Sequence, residues 1–497
     1  MARPPQPGDE GCQRVACHPL TNLFRTAPKP KRETAPGGAA LASRRGVARR
    51  EMGESPFCRQ KTDGIPTMFW NRAMETIRGD ELTDLQIKRL KWSLDQAGKT
   101  GLYQRRMKEA GVSPGDIKTL EDVEKLPFTT KKDLQAGYPF GLFAVPLKEV
   151  VRIHTTSGTT GKPTVVGYTR QDLENWSELI ARNMTMIGLG EDDIFQNAVN
   201  YGLFTGGLGF HYGAEKIGMT VIPSATGNTR RQIEMIEDFG VTAIHCTPSY
   251  ALHLAEVAES MGKSLDTLKT GIFGAEPWSE SMRGELERRL GLKAYDSYGL
   301  SEMYGPGVAF ECPERDGLHI WHDSYLVEVI DPATGERLDP GERGELVITP
   351  LVKEAMPLIR YRTGDITRLM DEDGCACGRG QKIERITGRC DDMLVIRGIN
   401  VFPSQIEHVL RSLPEVGDQF MVYIDRVKHL DEMTIEVEMS KVSFSGELQD
   451  LTRIQKKISA ELQNTLGLRT AVRLVEPGSL PRFEGKARRV IDRRGNA

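Results

Sequence analysis

Apolar residues recur with helical spacing between residues 83 and 97, where Leu90 and Leu94 fall on one face. Thr83 has a hydroxyl that can cap a first turn, and Gly98 is a residue type that often ends a helix. This segment is therefore predicted to be an amphipathic helix that begins near Thr83.

Short apolar segments alternate with helical patterns through the middle of the chain. Strands are predicted within the segments EVVRIHTTSG, VTAIHCTPS, LKTGIFGAE and LKAYDSYGLSE, and an amphipathic helix is predicted at Tyr250–Met261. Alternation of this kind is typical of an α/β fold with a mainly parallel sheet.

The pattern becomes strand-rich after about residue 320, and a small α+β unit follows the segment GRCDDMLVIRGINVFP. In this unit we expect helices at Pro403–Leu413 and Leu448–Leu466 and strands near 419–424, 434–439 and 472–475. The predicted architecture is an α/β fold with a large N-terminal domain (67–390), which has parallel or mixed sheets, and a small α+β C-terminal domain (391–497).

Residues 1–66 have a different composition, rich in Pro, Gly, Ala and Arg and without apolar periodicity. Residues 1–50 contain ten Lys or Arg against three Asp or Glu. We predict a disordered basic extension without a catalytic role. Two other interpretations stay open: a targeting segment, or an extension that precedes a folded protein starting at Met68.

Overall composition is that of an ordinary globular protein, with 39% hydrophobic and 27% charged residues and a net charge of −3. This balance favours neither a nucleic-acid partner nor a membrane surface, and no apolar run approaches the roughly 20 residues of a membrane span. The eight cysteines are scattered, and the N-terminus has no signal-peptide core. We expect a reduced, cytoplasmic protein.

The segment TTSGTTGKPT, residues 155–164, follows directly on a predicted strand. Its small residues and hydroxyls let backbone N–H groups approach phosphate oxygens, and its lysine adds a positive charge. It differs from the Walker A pattern, and the alternative is a plain polar surface loop. The predicted phosphate contacts are Thr156, Ser157, Gly158, Thr159, Thr160, Gly161 and Lys162.

This loop resembles the phosphate-binding signature of the adenylate-forming superfamily, which includes acyl-CoA synthetases, firefly luciferase and peptide-synthetase adenylation domains. Within it the segments LPFTTKKDL, YPFGLFAVP, YGLFTGGLGFHYGAE and DDMLVIRGINVFPSQIE are most similar to those of phenylacetate–CoA ligases. One departure is Gly364, where these ligases often have arginine. The resemblance implies the adenylate-forming fold and ATP-dependent ligation of an aryl acid to coenzyme A through an acyl-adenylate.

Two more motifs of the superfamily occur in the family's order. YGLSE implies that Tyr298, Gly299 and Ser301 contact the nucleotide and that Glu302 binds Mg²⁺, for which a carboxylate is a suitable ligand. GAEP implies that Ala275, Glu276 and Pro277 line the other side of the nucleotide.

The remaining motifs imply the sugar site, the hinge and the catalytic lysine. Asp365 of RTGD would accept hydrogen bonds from the ribose hydroxyls, and Arg389 would contact the nucleotide. Asp391 would be the hinge about which the C-terminal domain rotates between two half-reactions, and Gly398 would meet the CoA channel. Lys486 would stabilise developing charge at the α-phosphate.

The acyl pocket is predicted from aromatic residues and nearby glycines. Tyr138, Phe143, Phe204 and Gly207 would surround a flat ring. For each named side chain, ordinary core packing is an equally good interpretation.

Four residues could form a structural zinc site: Cys312, His319, Cys375 and Cys377. His322 or Cys246 could replace one of them, and the alternative is free thiols. A metal here would hold the strand-rich region together rather than take part in catalysis.

The resemblance implies ATP, Mg²⁺ and coenzyme A as cofactors, small-molecule partners only, and a homodimer. Two other functions stay open. One is a different adenylating ligase, which activates another acid or adenylylates a deazaflavin cofactor. The other is an inactive binding module, which the retention of Glu302, Asp365 and Lys486 disfavours.

Overall fold

The computed structural model describes residues 58–62, 65–156, 163–203, 205–370, 375–390, 394–397, 399–427, 430–440, 448–483 and 489–494. All of them belong to one compact unit, Ser55–Ala497. The predicted extension at 1–66 lies almost entirely outside the described residues.

The strands of the described chain are numbered in chain order. They are β1 Cys58–Thr62, β2 Ile65–Phe69, β3 Arg152–Thr155, β4 Val165–Tyr168, β5 Ile194–Asn197, β6 Thr220–Ile222, β7 Ala243–Cys246, β8 Thr270–Gly274, β9 Lys293–Leu300, β10 Gly305–Glu311, β11 Leu318–Ile320, β12 Tyr325–Ile330, β13 Gly344–Pro350, β14 Tyr361–Thr367, β15 Lys382–Ile383, β16 Gly388–Arg389, β17 Leu394–Ile396, β18 Ile399–Val401, β19 Val416–Val427, β20 Leu430–Met439, β21 Ala471–Val475 and β22 Val490–Asp492.

The α-helices of the described chain are numbered in the same way. They are α1 Arg72–Glu75, α2 Gly79–Ala97, α3 Gly101–Ala110, α4 Lys131–Ala136, α5 Arg170–Met186, α6 Gly206–Ile217, α7 Thr229–Phe239, α8 Pro248–Ser260, α9 Glu280–Leu290, α10 Pro403–Arg411 and α11 Leu448–Leu466. Short 3₁₀ turns lie at Pro114–Asp116, Glu121–Lys125, Leu147–Glu149 and Ser301–Met303. No helix in this described part is both long and apolar enough to span a bilayer.

An eight-stranded sheet in the order β15-β11-β10-β9-β8-β7-β5-β6 forms the centre of the N-terminal domain. Strands β6, β5, β7, β8 and β9 are parallel, whereas β10, β11 and β15 are antiparallel additions to one side. The inner parallel strands β7 and β8 are fully buried, as expected for strands covered by helices on both faces, whereas β6 at the edge is partly exposed. The mixed sheet agrees with the predicted fold class.

A second sheet, in the order β12-β13-β14-β16, is antiparallel throughout. Its last pair aligns Asp365 with Arg389. Strands β3 and β4 form a separate antiparallel hairpin that brackets residues 157–162.

Residues 394–494, here called the C-terminal domain, have their own hydrophobic core. Its sheet, in the order β21-β20-β19-β22, packs against α10 and α11. Apolar residues of α11, such as Ile454, Ile458 and Leu462, are spaced by four and are buried in this core. The predicted order of elements in this domain agrees with the structure, although β19 and β20 extend beyond the predicted bounds.

The predicted start of the first long helix is wrong. Helix α2 begins at Gly79, and its N-cap position is Arg78 rather than Thr83. The acidic side chains of Asp80 and Glu81 lie in the first turn, where they interact favourably with the positive end of the helix dipole. These charges stabilise the first turn of α2, which has no hydrogen bond from a capping side chain.

Candidate active site

A cavity of about 600 Å³ lies between the ends of the central strands and the C-terminal domain. The N-terminal domain contributes seven residues that the motifs predicted as nucleotide contacts, namely Ala275, Glu276, Pro277, Tyr298, Gly299, Asp365 and Arg389. The C-terminal domain closes the cavity with Pro403, Glu407, Phe420, Arg489 and Val490, among others. The structure therefore brings together sequence motifs that lie about a hundred residues apart.

The loop after β8 approaches the cavity with its backbone. A Cβ atom on Gly274 would lie 2.3 Å from the carbonyl oxygen of Ser297, so no side chain fits there. Ala275 has a positive φ of 69°, and Glu276 accepts a hydrogen bond of 2.8 Å from the backbone N–H of Ser249. The loop is thus packed closely on β9 at Gly274 and bonded to the start of α8 through Glu276.

Asp365 is buried at the cavity wall and is held from two sides. The Tyr298 hydroxyl donates to its Oδ2 at 2.6 Å, and Arg389 pairs with its Oδ1. Arg389 also donates to the carbonyl of Thr363 at 3.0 Å. Burial, followed by the charge of Asp365, raises the pKa of Tyr298 well above its usual value, so the phenol stays protonated. Asp365 is thus fixed at the wall of the cavity.

Glu302 and Ser301 lie at the end of β9, outside the lining of this cavity. The Glu302 carboxylate accepts a 3.2 Å hydrogen bond from the Tyr361 hydroxyl, and its backbone carbonyl accepts one of 2.6 Å from Lys353. Lys353 is fully buried, and burial lowers its pKa to about 8. The turn that carries Glu302 is thus anchored by a buried amine.

Several predicted residues lie outside the described part of the chain: Ser157, Gly158, Thr159, Thr160, Gly161, Lys162, Phe204, Asp391, Gly398 and Lys486. Thr156 is described. Its N–H donates to the Thr164 carbonyl at 3.0 Å, and its Oγ1 accepts from the Thr164 N–H at 3.1 Å. These two bonds close the base of the predicted phosphate loop.

The predicted acyl-pocket residues occupy different environments. The Phe143 ring packs against the N-terminal core and lies 2.6 Å from the position of a Cβ on Gly167. Tyr138 is 44% exposed. At Gly207 a Cβ would meet the Asn200 carbonyl oxygen at 2.7 Å, so a side chain does not fit there either.

The four predicted metal ligands come together, with their ligand atoms within 4.8 Å of one another. Cys312 and Cys375 have sulfurs 3.5 Å apart, and the Cys377 sulfur lies 3.2 Å from His319 Nε2. His319 Nδ1 bonds to the Gly380 carbonyl at 2.9 Å, so Nδ1 carries the proton and Nε2 is free to bind a metal.

Two of these cysteines have a pKa below the ordinary value of a thiol. Hydrogen bonds from Cys312 and Cys375 lower the pKa of Cys377 to about 3, and a bond from Cys312 lowers that of Cys375. The two alternative ligands are not in the group: Cys246 lies in a different hydrophobic core, and His322 packs on Gly380.

Sequence reasoning missed the residues that support the cavity floor. The Trp278 ring lies between two guanidinium groups, with Arg283 at 4.8 Å and Arg385 at 4.6 Å. Arg385 pairs with Asp296 at 2.8 Å, and Arg283 pairs with Glu311 at 2.7 Å. Trp278 directly follows the GAEP motif, which is the one signal that could have pointed to it.

Comparison with known proteins assigns the family. The family model for AMP-binding enzymes matches residues 96–350, and the model for the C-terminal domain of these enzymes matches residues 398–494. Phenylacetate-coenzyme A ligase of Escherichia coli is 47% identical over 85% of this chain and 97% of its own length. The chain belongs to the phenylacetate–coenzyme A ligase family of AMP-binding enzymes. The resemblance and the enzyme class predicted from the motifs, an AMP-forming acid–thiol ligase, are confirmed.

A second phenylacetate-coenzyme A ligase has a similar sequence identity to this chain. Phenylacetate-coenzyme A ligase of Thermus thermophilus is 46% identical over 86% of this chain and 100% of its own length. The family's use of ATP and coenzyme A follows for this chain.

A solved acyl-CoA ligase structure has the same fold. 2-Hydroxyisobutyryl-CoA ligase in the postadenylation state, with an acyl-adenylate, is 32% identical, with a TM-score of 0.80 over 86% of this chain and 93% of that one. The same ligase in its thioesterification state, with CoA, gives a TM-score of 0.63 over 85% and 92%. The domain arrangement of this chain is therefore closer to the postadenylation state.

Proposed function

We propose that this enzyme ligates phenylacetate, or a closely related aryl acid, to coenzyme A. The acid carboxylate attacks the α-phosphorus of ATP and pyrophosphate leaves; the CoA thiolate then attacks the acyl carbon and AMP leaves. The observation that carries the proposal is the meeting of Tyr298, Asp365 and Arg389 on one cavity, in a chain whose relatives at 46–47% identity are phenylacetate-coenzyme A ligases.

Asp365 would accept both ribose hydroxyls, because it lies at the cavity wall and a carboxylate can accept several hydrogen bonds at once. The adenine would pack between the Tyr298 ring and the backbone of Ala275–Pro277. Closure of the cavity by the C-terminal domain would keep water from the reactive acyl-adenylate.

Charge on the phosphates would be balanced by the loop from Thr156 to Lys162 and by Lys486. Glu302 fits a Mg²⁺ site, because its carboxylate is a hard oxygen ligand on an anchored turn. Bound there, Mg²⁺ would neutralise phosphate charge. In this chain, Tyr361 and Lys353 would hold Glu302 in position through their hydrogen bonds to it.

A structural Zn²⁺ fits the group of Cys312, His319, Cys375 and Cys377. Three thiols and one imidazole nitrogen within 4.8 Å match a closed tetrahedral site. The pKa directions at Cys375 and Cys377 and the bond from His319 to Gly380 support ligation. Zn²⁺ there would tie β10 and β11 to the turn before β15.

The remaining assignments rest on the family resemblance. The acyl ring would be held by Tyr138, Phe143, Phe204 and Gly207. The domain boundary is proposed at residues 390 and 391, with Asp391 as the hinge and Gly398 at the CoA channel. A homodimer and a cytoplasmic location stay predictions.

The test is a panel of acids assayed for AMP, pyrophosphate and acyl-CoA. We expect phenylacetate to be the best substrate in a set that includes benzoate, 2-hydroxyisobutyrate and acetate. If another acid of the panel were a better substrate, the proposed acid would be wrong, but the proposed ligase reaction would stand. Release of AMP with none of them, or formation of a stable adenylylated product that needs no CoA, would overturn the ligase assignment.

A further inference from the structure

Three arginines line the cavity in the described part of the chain, namely Arg385, Arg389 and Arg489. Arg385 pairs with Asp296 at 2.8 Å, and Arg389 pairs with Asp365, so carboxylates neutralise both arginines of the N-terminal domain. Arg489 belongs to the C-terminal domain, where it directly precedes β22. A ligand in the cavity would therefore meet the first two charges already balanced.

Arg489 has no such ion-pair partner among the residues that the structure describes. The carboxylates whose charges act on it are those of Glu276, Glu407 and Asp418. Two of them pair with Arg411 instead, Glu407 at 3.6 Å and Asp418 at 3.4 Å. Glu276 accepts a hydrogen bond of 2.8 Å from a backbone N–H at the start of α8. A ligand in the cavity would thus meet the charge of Arg489 unbalanced.

Stacking on an aromatic ring fixes the position of the Arg489 side chain. The central carbon of its guanidinium lies 4.6 Å from the centroid of the Phe420 ring, which is buried on β19. The positive group and the negative face of the ring attract each other. The donors of a guanidinium lie in its plane, so stacking holds Arg489 at the cavity and leaves its N–H groups for another partner.

One donor of this guanidinium is buried without a partner. Nη1 of Arg489 is shielded from solvent and makes no hydrogen bond to the described residues. A buried donor that is left unpaired is costly, above all in a charged group. Burial accordingly lowers the pKa of Arg489, against the opposing effect of Glu407, although an arginine keeps its proton in proteins. An anion bound beside Nη1 would supply the missing acceptor.

Two neutral atoms of the cavity lining are also buried without a partner in the described chain, Trp278 Nε1 and Ser297 Oγ. Both belong to the N-terminal domain, and neutral groups suit the uncharged base and sugar of a nucleotide. Arg489 differs from them because it is charged and its planar fork matches the oxygens of a phosphate. The phosphate is thus the group of a nucleotide that Arg489 is suited to bind.

We propose that Arg489 is a nucleotide-binding residue that donates hydrogen bonds to a phosphate oxygen of ATP, and of the acyl-adenylate, during the first half-reaction. The inference rests on the proposed two-step reaction and adds a residue to its first step. The domain arrangement of this chain, which is closer to the postadenylation state, has Arg489 at the cavity. Because Arg489 belongs to the C-terminal domain, rotation of that domain for the second step would withdraw it from the phosphate.

The experiment compares the binding of AMP and of adenosine, which differ only in the phosphate, by isothermal titration calorimetry. In Arg489→Gln we expect the Kd for AMP to rise about tenfold, because one charge-assisted hydrogen bond to the phosphate is lost. The Kd for adenosine should not change, and the KM for ATP in pyrophosphate exchange should rise by a similar factor. Equal weakening of AMP and adenosine, or an unchanged Kd for AMP, would overturn the proposal.

Arg493→Gln is the matched control, because Arg493 also stacks on an aromatic ring of β19 but is not part of the cavity lining. Its guanidinium carbon lies 4.4 Å from the centroid of the Tyr423 ring, and its Nη1 lies 3.7 Å from Asp425. This variant should bind AMP and adenosine as the wild type does. If it weakened AMP as much as Arg489→Gln, the effect would be one of overall charge and the proposal would be wrong.

Arg489→Lys keeps the charge without the planar fork, so it should raise the Kd for AMP only about threefold. A loss as large as that in Arg489→Gln would mean that stacking on Phe420 matters and the charge does not, which contradicts the proposal. AMP binding needs no acid, so the proposed function is tested separately. A loss specific to AMP in an enzyme that activates no acid would support the role of Arg489 and refute the proposed function. An unchanged Kd for AMP in Arg489→Gln, with phenylacetate ligated by the wild type, would do the reverse.

Discussion

The two walls of the cavity are built on different principles. The wall in the N-terminal domain holds Asp365 with hydrogen bonds such as that of 2.6 Å from Tyr298, among buried residues. Two ion-pair contacts reach across to the C-terminal domain, from Arg289 to Asp418 and from Arg482 to Glu256, and they are 3.8 and 3.9 Å long. The first wall is held by short hydrogen bonds and the second by long ion pairs, as expected if the C-terminal domain moves between the two proposed half-reactions.

The largest effect on activity is expected from substitution of Asp365 in the wall of the N-terminal domain. Asp365→Ala removes the acceptor shared by Tyr298, Arg389 and the proposed ribose, so ATP–pyrophosphate exchange should fall by about two to three orders of magnitude. Asp339→Ala, in a surface turn, is the control. An Asp365→Ala enzyme with near wild-type exchange would show that this wall does not bind the sugar.

Substitution of a proposed zinc ligand tests whether the stability of the N-terminal domain depends on a bound ion. Cys377→Ala should release one equivalent of zinc, measured by elemental analysis, and lower the unfolding free energy by about 3 kcal/mol, or Tm by about 6 °C. Cys246→Ala removes a buried sulfur outside the cluster and should keep the metal. Equal zinc content in both variants would contradict the site.

Acidification should destabilise the N-terminal domain through a buried histidine. Burial lowers the pKa of His245 in β7 to about 3, so below its ordinary value of about 6.5 the unfolded chain binds more protons than the native state. The N-terminal domain should lose about 2 kcal/mol between pH 7 and pH 5 through this residue.

The check on His245 is the variant His245→Gln, which should lose less stability over this pH range than the wild type. Thermal melts at both pH values measure the difference, and His253→Gln, at a half-buried histidine on α8, is the control. If the stability of His245→Gln fell with pH as much as that of the wild type, the loss of stability in acid would come from other groups.

A smaller effect is expected from Tyr298→Phe, which keeps the ring and removes its hydroxyl. Loss of one hydrogen bond to a charged group should raise the KM for ATP about tenfold and also lower Tm, because buried Asp365 loses a donor in the free enzyme. A fall in kcat without a change in KM would mean that the hydroxyl acts on the chemical step.

The motifs named several residues that the structure brings onto one cavity, but they gave no signal for the contacts between the two domains. Tyr298, Asp365 and Arg389 were found because each lies in a short local pattern with a chemical purpose. Trp278 between its two arginines was missed, since its partners are distant in sequence and of common types.

The contacts between the domains had no sequence signal for a related reason. Arg289 lies on α9 and Asp418 on β19, and only the relative position of the two domains makes them neighbours. The start of α2 was misplaced because Thr83 has the residue type of a cap, whereas the acidic first turn at Asp80 and Glu81 was the stronger signal.

The course of the chain beside Asp365 has a consequence for the order of events in a turnover. Asp365 on β14 is aligned with Arg389 on β16, and the backbone N–H of Cys390 bonds to the carbonyl of Gly364. The polypeptide thus leaves for the C-terminal domain from β16, the strand beside the one that carries Asp365, the proposed sugar contact. A rotation of the C-terminal domain about this exit would act directly on Asp365 and Arg389, so release of AMP and return of the domain are expected to be coupled.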